Sequence, residues 1–223
     1  MNIFTDKKFI INLKRRPDRK AHILEQMEKH GMSNYEIFEA IDANDIEETL
    51  VSKTADKWTK EQLACLRSHL AVIKKAKESN LDYVTILEDD CVFVDNFKEQ
   101  YEKVVSQLTV FSGMFYLCAN HAVKPNKIKG SENIGVCQYA QSLVCYVISK
   151  HYYDIIIHEL SKEDKPIDEI FISRIHSTDW SKGNALVAFC AIPNLCYQLA
   201  GYSDIELKET DYAQHFSNSK FSD

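Results

Sequence analysis

An apolar segment that ends in three consecutive acids constrains this chain more than any other feature. The segment 83–87 (YVTIL) has the length and the branched and aromatic composition of a buried strand, and Glu88, Asp89 and Asp90 follow it directly. Three carboxylates at the end of a buried strand repel one another, so they require compensation. In an open α/β sheet, the ligand crevice lies at the carboxyl ends of the strands, where these acids are expected.

A divalent cation is the compensating charge that these residues favour. Carboxylate oxygens are hard ligands suited to Mn²⁺ or Mg²⁺, and a diphosphate can complete the coordination shell. The sequence lacks the GxxxxGK[ST], GxGxxG, HExxH and GxSxG patterns and has only six glycines, which disfavours a glycine-rich phosphate loop. The residues alone leave open a simpler interpretation, in which the strand runs into a solvated acidic turn.

Strand-like and helix-like segments alternate in the first half of the chain. The periodicity predicts strands at 8–13, 35–41 and 83–87 and helices at 18–30, 59–79 and 97–108. The helix 59–79 has the clearest apolar face, and Thr59 with Gln62 predicts a capping box at its start. This β–α–β–α order predicts an α/β fold with a largely parallel sheet and helices on its faces.

The second half of the chain has a looser pattern. Strands are predicted at 114–118, 142–149 and 185–192, and helices in the segment that ends at 160 and at 166–175. The polar segment 120–135 is expected to be a loop, and the chain is expected to fray from Glu206 onward. Since no linker, internal repeat or low-complexity tract interrupts the sequence, a single domain is predicted.

Charge and composition exclude several classes of function. The 223 residues carry a formal net charge of −6 without a basic block, so nucleic acid binding has no electrostatic basis. No window approaches 18 uninterrupted apolar residues, and the start lacks the pattern of a secretory signal, so neither a membrane span nor secretion is expected. The seven cysteines never show a CxxC spacing, which favours reduced core thiols in a cytoplasmic protein over structural zinc.

A basic turn after the first strand is a second candidate for binding. It contains Asn12, Arg15 and Arg19, at a strand end followed by a helix start. Cations and backbone N–H groups in such a place can bind a phosphate or a nucleotide. The alternative is a basic surface turn in which Asp18 caps the helix.

Two further pairs of polar residues are candidates for chemistry. Ser68 and His69 interrupt an otherwise apolar helix, where their polar groups need partners, although such a histidine can also be a packing residue. Asp168 and Glu169 stand at the start of the predicted helix 166–175. One of them can act as a general base for an acceptor hydroxyl group, and the helix dipole alone is the alternative explanation for both.

Seven short segments form an ordered set that spans nearly the whole chain. They are INLKRRPDR (11–19), EAIDA (39–43), ACLRSH (64–69), ILEDD (86–90), SLVCYVIS (142–149), PID (166–168) and PNLCYQLAGYSDI (193–205). Together they resemble the motifs of glycosyltransferase family 25, which includes bacterial lipooligosaccharide galactosyl- and glucosyltransferases and procollagen galactosyltransferases. Ala43 and Ala64 stand where the family pattern has glycine, and Ser142 stands where threonine is commoner.

The resemblance implies a GT-A fold, in which a Rossmann-like mixed sheet is flanked by helices. It implies one domain at 1–206, with a nucleotide-binding half at about 1–110 and an acceptor-binding half at about 111–206, followed by a polar tail at 207–223. The implied reaction is the inverting transfer of galactose, or less often glucose, from a UDP-sugar, with Mn²⁺ or Mg²⁺ as cofactor.

The resemblance also implies roles for individual residues. Glu88 and Asp90 are expected to hold the metal, and Asp168 is expected to be the catalytic base, with Glu169 as its substitute. The expected donor-binding residues are Asn12, Arg15, Arg19, Asp42, Ser68, His69, Asp89, Gln198 and Ser203.

The expected partners are a UDP-sugar donor and a glycan acceptor, free or attached to lipid or protein. The expected setting is lipooligosaccharide or other surface-glycan biosynthesis in the cytoplasm, with at most transient membrane contact and no nucleic acid. Two other hypotheses stay open. One is an inactive GT-A scaffold or sugar-binding module, and the other is a nucleotidyltransferase that uses the same acidic motif.

Overall fold

An eight-stranded mixed sheet forms the centre of the protein in the computed structural model, which describes residues 2–47, 58–108, 113–176 and 187–216. The described residues contain twelve strands, of which β4 with β10 and β11 with β12 form two separate two-stranded ribbons. The strands are β1 (Lys8–Asn12), β2 (Tyr35–Glu39), β3 (Tyr83–Glu88), β4 (Cys91–Phe93), β5 (Met114–His121), β6 (Asn126–Lys127), β7 (Ile134–Val136), β8 (Ala140–Ser149), β9 (Ala188–Ala191), β10 (Cys196–Gln198), β11 (Gly201–Ser203) and β12 (Lys208–Thr210).

Six helices accompany these strands within the described residues. They are α1 (Pro17–Lys29), α2 (Lys60–Glu78), α3 (Phe97–Gln107), α4 (Tyr153–Leu160), α5 (Ile167–Ile170) and α6 (Ala213–Phe216). Short 3₁₀ turns lie at Ala43–Asp45 and Lys150–Tyr152, and a π-helical turn at Phe171–Ile175 continues α5. The start of the predicted strand at 185–192 and the last part of the predicted tail, 217–223, lie outside the described residues.

The strands of the large sheet follow the order β2-β1-β3-β8-β5-β9-β7-β6. β1 runs parallel to β2 and β3, as the alternating pattern predicts. The expectation of a largely parallel sheet is wrong, because β8 runs antiparallel to both of its neighbours and β7 runs antiparallel to β6 and β9. Beyond β3, only the pairing of β5 with β9 among the described strands is parallel. Parallel pairing of β5 with β8 would need a crossover connection, and residues 122–139 between them, all of which the structure describes, contain no helix that could provide one. The α/β class and the mixed sheet flanked by helices are confirmed.

Alternating side chains on β1 divide the core into two layers. Phe9 and Ile11 pack in the layer that includes the apolar face of α2, whereas Ile10 packs in the layer that includes α1 and α3. The capping box predicted at the start of α2 is confirmed. The Thr59 N–H donates to Oε1 of Gln62 at 2.9 Å, and the Gln62 N–H donates to Oγ1 of Thr59 at 3.2 Å.

Two polar segments are more ordered than the sequence predicts. The expected loop at 120–135 contains the end of β5, all of β6 and the start of β7, because the buried Ile134 pairs β7 with β9. The chain also continues past Glu206 as structured backbone, since β12 pairs with β11. Phe216 at the end of α6 is buried in the layer formed by α1 and α3, which gives that helix an apolar anchor.

The parallel strands β1 and β3 end at the same edge of the sheet, where the candidate site lies. Ile11 on β1 is the register partner of Glu88 on β3, so Asn12 and the three acids meet at this edge. The two-stranded ribbon of β4 and β10 continues directly from the acids. Among the helices that the structure describes, none has the length and apolar character needed to cross a membrane.

Candidate active site

The acids that follow β3 are compensated in part by groups from β1, α1 and β10. Asn12, the last residue of β1, donates from Nδ2 to Oδ2 of Asp89 at 2.7 Å. Arg19, in the first turn of α1, donates from Nη1 to Oδ2 of Asp90 at 2.6 Å and to Oδ1 of Asp89 at 3.3 Å. Gln198 on β10 donates to the same oxygen of Asp90 at 3.1 Å. The acidic motif therefore turns inward and is not a solvated turn.

This compensation is incomplete at Asp90. The residue is 3% exposed, and burial together with the charge of Glu88 raises its pKa to about 7, although Arg19 acts in the opposite direction. Burial also raises the pKa of Asp89. Within the described part of the chain, Oδ1 of Asp90 is buried and has no hydrogen-bond partner. A buried, unpaired carboxylate oxygen beside further carboxylates is a donor set that fits a hard divalent cation.

Glu88 faces a different set of side chains. Its Oε1 lies 3.3 Å from Nε2 of His69, and Nδ1 of His69 lies 2.7 Å from the hydroxyl group of Tyr146. The rings of His69 and Tyr146 stack with their centroids 5.8 Å apart. The Cys65 sulfur completes a group in which the ligand atoms of Cys65, His69 and Glu88 all lie within 4.8 Å of one another. His69 is therefore a satisfied buried residue that also contacts an acid of the site.

An aspartate outside the predicted set, Asp204, holds the basic turn in place. Its carboxylate accepts hydrogen bonds from both Arg15 and Arg16. The neighbouring main-chain oxygen of Tyr202 accepts from Nη2 of Arg19 at 2.8 Å. Asp204 lies in the segment 193–205, and its charge, opposite to that of the basic turn, was the signal available in the sequence.

Ser68 and Asp42 both act on the segment that follows β2. The Ser68 hydroxyl group donates to the main-chain oxygen of Ala64 at 2.8 Å and accepts from the N–H of Ile41 at 2.9 Å. Asp42 accepts from Nε of Arg15 at 2.7 Å. These contacts fix the loop after β2 against α2 and the basic turn.

A first pocket lies where these elements meet, at the carboxyl ends of β1 and β3. Leu13 and Ile41 contribute apolar lining. The predicted residues that line it are Arg15, Arg19, Ser68, His69, Glu88, Asp89, Asp90, Gln198 and Ser203. Asn12 and Asp42 do not line this pocket, but each bonds to a residue that does.

A second pocket adjoins the first and contains Asp168. Gln62, Asn120 and Gln141 add polar groups to its wall. Glu169 is exposed and lines neither of the two pockets. The residues shared by both pockets are Cys65, Glu88, Gln198, Ser203 and Ile205.

Asp168 is partly buried and lines the second pocket. Its Oδ2 accepts a hydrogen bond from the N–H of Ser142 at 3.1 Å. Ser142 has a φ of 67°, a left-handed conformation that a serine adopts at some cost. Burial raises the pKa of Asp168 to about 6, with the Ser142 N–H opposing this shift and the charge of Glu88 adding to it. A carboxylate with such a pKa is suited to general base chemistry near neutral pH.

Comparison with known sequences gives one family over most of the chain. Residues 5–171 match the family described as "Glycosyltransferase family 25 (LPS biosynthesis protein)". Over 170 residues the chain is 31% identical to "Procollagen lysyl hydroxylase and glycosyltransferase" of Acanthamoeba polyphaga mimivirus, which covers 61% of this chain and 18% of that protein. Over 163 residues it is 23% identical to "Inactive glycosyltransferase 25 family member 3" of Mus musculus, which covers 65% of this chain and 27% of that protein.

The chain spans less than a third of the length of these two relatives. Among solved structures, "a glycosyltransferase involved in the glycosylation of the major capsid of PBCV-1" aligns with 95% of this chain and 97% of its own chain. That alignment has a TM-score of 0.45 and 11% sequence identity.

Proposed function

The chain belongs to glycosyltransferase family 25, and we propose that it transfers galactose or glucose from a UDP-sugar to a hydroxyl group of a glycan acceptor. In this proposal the transfer inverts the anomeric centre, which gives a β-linked product, and it depends on Mn²⁺ or Mg²⁺. The acceptor is a glycan, free or attached to lipid or protein, of the kind used in lipooligosaccharide or other surface-glycan biosynthesis. A cytoplasmic location belongs to the same proposal.

The junction of the two pockets at Glu88 is the observation that carries this proposal. The first pocket combines arginines with buried acids, which suits a nucleotide diphosphate and its cation. The second pocket has polar walls and one carboxylate with a raised pKa, which suits a hydroxylic acceptor. Because both pockets share Glu88, the anomeric carbon of a donor in the first pocket can face a hydroxyl group in the second.

We assign the donor to the first pocket and the metal to its acidic end. Arg15 and Arg19 supply positive charge for the diphosphate, and the apolar side chains of Leu13 and Ile41 offer a surface for the base. Glu88 and Asp90 would hold the metal, since the buried Oδ1 of Asp90 needs a positively charged partner. When bound, the metal supplies charge neutralisation for the departing UDP.

Asp168 is the proposed catalytic base. Its carboxylate takes the proton of the acceptor hydroxyl group while the oxygen of that group attacks the anomeric carbon and UDP departs on the opposite side. The Ser142 N–H holds one carboxylate oxygen at 3.1 Å, which leaves the other free to accept the proton. We prefer Asp168 to Glu169 because only Asp168 lines the second pocket.

The rate of transfer is expected to rise with pH and to level off above about 6. A base must be deprotonated to act, and burial raises the pKa of Asp168 to about 6, so each pH unit below that value should cost about tenfold in kcat/KM. The measurement is UDP release in the presence of acceptor between pH 4.5 and 8, with Mn²⁺ saturating. UDP affinity over the same range is the control. A rate that stays flat or falls through this range would contradict the role of Asp168.

A screen of nucleotide ligands by thermal unfolding, followed by assay of UDP release, tests the function itself. A UDP-hexose at about 100 times its Kd should stabilise the protein by ~2.7 kcal/mol, or roughly 5–10 °C, in the presence of Mn²⁺ and much less without it. UDP-galactose and UDP-glucose are compared directly, with GDP-mannose as the control donor. Release of UDP from the stabilising donor is then the expected second result.

The same screen separates the two other hypotheses. An inactive sugar-binding module, which the name of the mouse relative raises for this chain, would bind a donor without releasing UDP even when acceptors are supplied. A nucleotidyltransferase would be stabilised by a nucleoside triphosphate and would release pyrophosphate from it. Either result would overturn the proposed transfer reaction.

A further inference from the structure

Four cysteines from four different strands bring their thiols together in the core beneath the candidate active site. This four-cysteine cluster consists of Cys91 on β4, Cys118 on β5, Cys145 on β8 and Cys196 on β10, and none of them is more than 1% exposed. The sulfur atoms of Cys91, Cys145 and Cys196 all lie within 4.8 Å of one another. The sulfur of Cys118 lies 2.9 Å from that of Cys196.

The backbone holds these thiols together independently of any ligand. Cys118 and Cys145 are register partners on the neighbouring strands β5 and β8. Cys91 and Cys196 come from opposite strands of the β4–β10 ribbon. The N–H of Leu195, just before β10, donates to the main-chain oxygen of Leu117 at 2.8 Å and fixes the ribbon to β5. Three sulfurs therefore lie within 4.8 Å of one another on a rigid scaffold, and the fourth, that of Cys118, lies against the sulfur of Cys196.

A buried lysine adds positive charge to the surroundings of the cluster. Lys8 on β1 is 0% exposed, and its ammonium group interacts electrostatically with Cys145. Its Nζ donates to the main-chain oxygen of Asp6 at 2.5 Å. A buried cation is costly unless anions lie near it. Thiolates gathered around a metal have a net negative charge and would add to the compensation of Lys8.

We propose that the four-cysteine cluster binds one Zn²⁺ through its four thiolates, as a closed structural site. Four sulfur ligands are the set that tetrahedral Zn²⁺ prefers, whereas Mn²⁺ and Mg²⁺ prefer the oxygen ligands of the acidic motif. A Zn–S distance of about 2.3 Å places the sulfurs about 3.8 Å apart, which the group of Cys91, Cys145 and Cys196 can accommodate. The sulfurs of Cys118 and Cys196, which are 2.9 Å apart, would have to separate on binding. On binding, each thiol gives up its proton to solvent.

The proposed zinc would connect the acidic motif to the central sheet. Cys91 directly follows Asp90, and Cys196 lies two residues before Gln198, which bonds to Asp90. Cys118 and Cys145 belong to the two strands at the middle of the sheet. Zinc would thus fix the ribbon of β4 and β10 to the central sheet, and with it the positions of Asp90 and Gln198 in the candidate site. This site is separate from the proposed donor and acceptor pockets and stands or falls independently of the transferase activity.

Metal content and X-ray absorption of the full chain test the proposal directly. The protein, purified from zinc-containing medium and passed through a desalting column, is expected to hold about one zinc per chain. Extended fine structure at the zinc edge is expected to show four sulfur neighbours at about 2.3 Å. Zinc with an oxygen-rich shell would place the metal at the acidic motif and would overturn the proposal, as would metal-free protein that zinc does not stabilise.

Matched substitutions locate the metal. Cys145→Ser is expected to remove the zinc with four sulfur neighbours and to lower the melting temperature. The control is Cys137→Ser, a buried cysteine in a separate group with His121 and Cys190, which is expected to keep that zinc. Loss of the zinc from Cys137→Ser and its retention in Cys145→Ser would overturn the assignment. The absorption spectrum of the unmodified protein decides the question if Cys145→Ser does not fold.

Discussion

Replacing Asp168 with asparagine is expected to lower the rate of glycosyl transfer by roughly 10²- to 10⁴-fold and to leave UDP affinity unchanged. The amide keeps the shape of the side chain and can still accept the hydrogen bond from the Ser142 N–H, so the fold should be preserved. It cannot take a proton from the acceptor. Because Asp168 lines the second pocket and not the first, the donor should bind as before. Steady-state transfer assays and UDP titration by calorimetry measure the two effects.

Two further variants serve as controls for the Asp168→Asn result. Asp154→Asn changes an exposed aspartate on α4 that lines neither pocket, so it should leave the rate unchanged. Glu169→Gln should cost far less than Asp168→Asn, since Glu169 lines neither pocket. A large loss with Glu169→Gln and a small one with Asp168→Asn would exchange their roles. Weakened UDP binding together with normal turnover in Asp168→Asn would refute a catalytic role for this residue.

Replacing Asp90 with asparagine is expected to lower transfer by roughly 10²- to 10³-fold and to abolish stabilisation by Mn²⁺, because it removes a proposed metal ligand that contributes several kcal/mol. Without metal the effect on stability should have the opposite sign. The pKa of Asp90 is about 7 in the folded protein, against about 3.9 in an unfolded chain, so ionisation between these pH values disfavours the folded state. At pH 8 the metal-free variant should therefore melt at a higher temperature than the parent.

Thermal unfolding with and without Mn²⁺ measures both effects of Asp90→Asn, the loss of stabilisation by the metal and the gain in stability without it. In the parent, the metal-free protein should lose stability as the pH rises from about 4 to about 7, and Asp90→Asn should lessen this loss. Asp95→Asn, which removes a fully exposed acid near the ribbon, is the control and should behave as the parent. If Mn²⁺ stabilises Asp90→Asn as strongly as the parent, Asp90 is not a metal ligand.

Local sequence patterns were sufficient for most of the elements around the site. β1, α1, α2, β3 and α3 lie within a residue or two of their predicted bounds, because apolar periodicity and the Thr59 capping box act over a few neighbouring residues. The direction of β8 was not predictable in this way. It depends on which strand β8 pairs with, and that choice is made by contacts between residues far apart in sequence.

The candidate site, too, was predictable where it depends on local sequence and not where it depends on contacts between distant residues. The acidic motif, the basic turn and Ser68 with His69 were singled out from the sequence, and they line one pocket or bond to residues that line it. No sequence pattern indicated that Tyr146 contacts His69, and the charge of Asp204 alone did not identify the arginines that it binds. Both contacts join residues whose separation along the chain is large, so no local pattern marks them.

The sequence by itself determined the kind of fold, the family and the identity of the acids at the end of β3, because each of these is written in short, contiguous segments. Only the tertiary structure decided that Asp168 and Glu88 line the same pocket and that four cysteines without any metal-binding spacing lie close together in the core. The physical reason is that strand order and register set which distant side chains meet, and burial then sets their charge. Spacing along the chain shows neither.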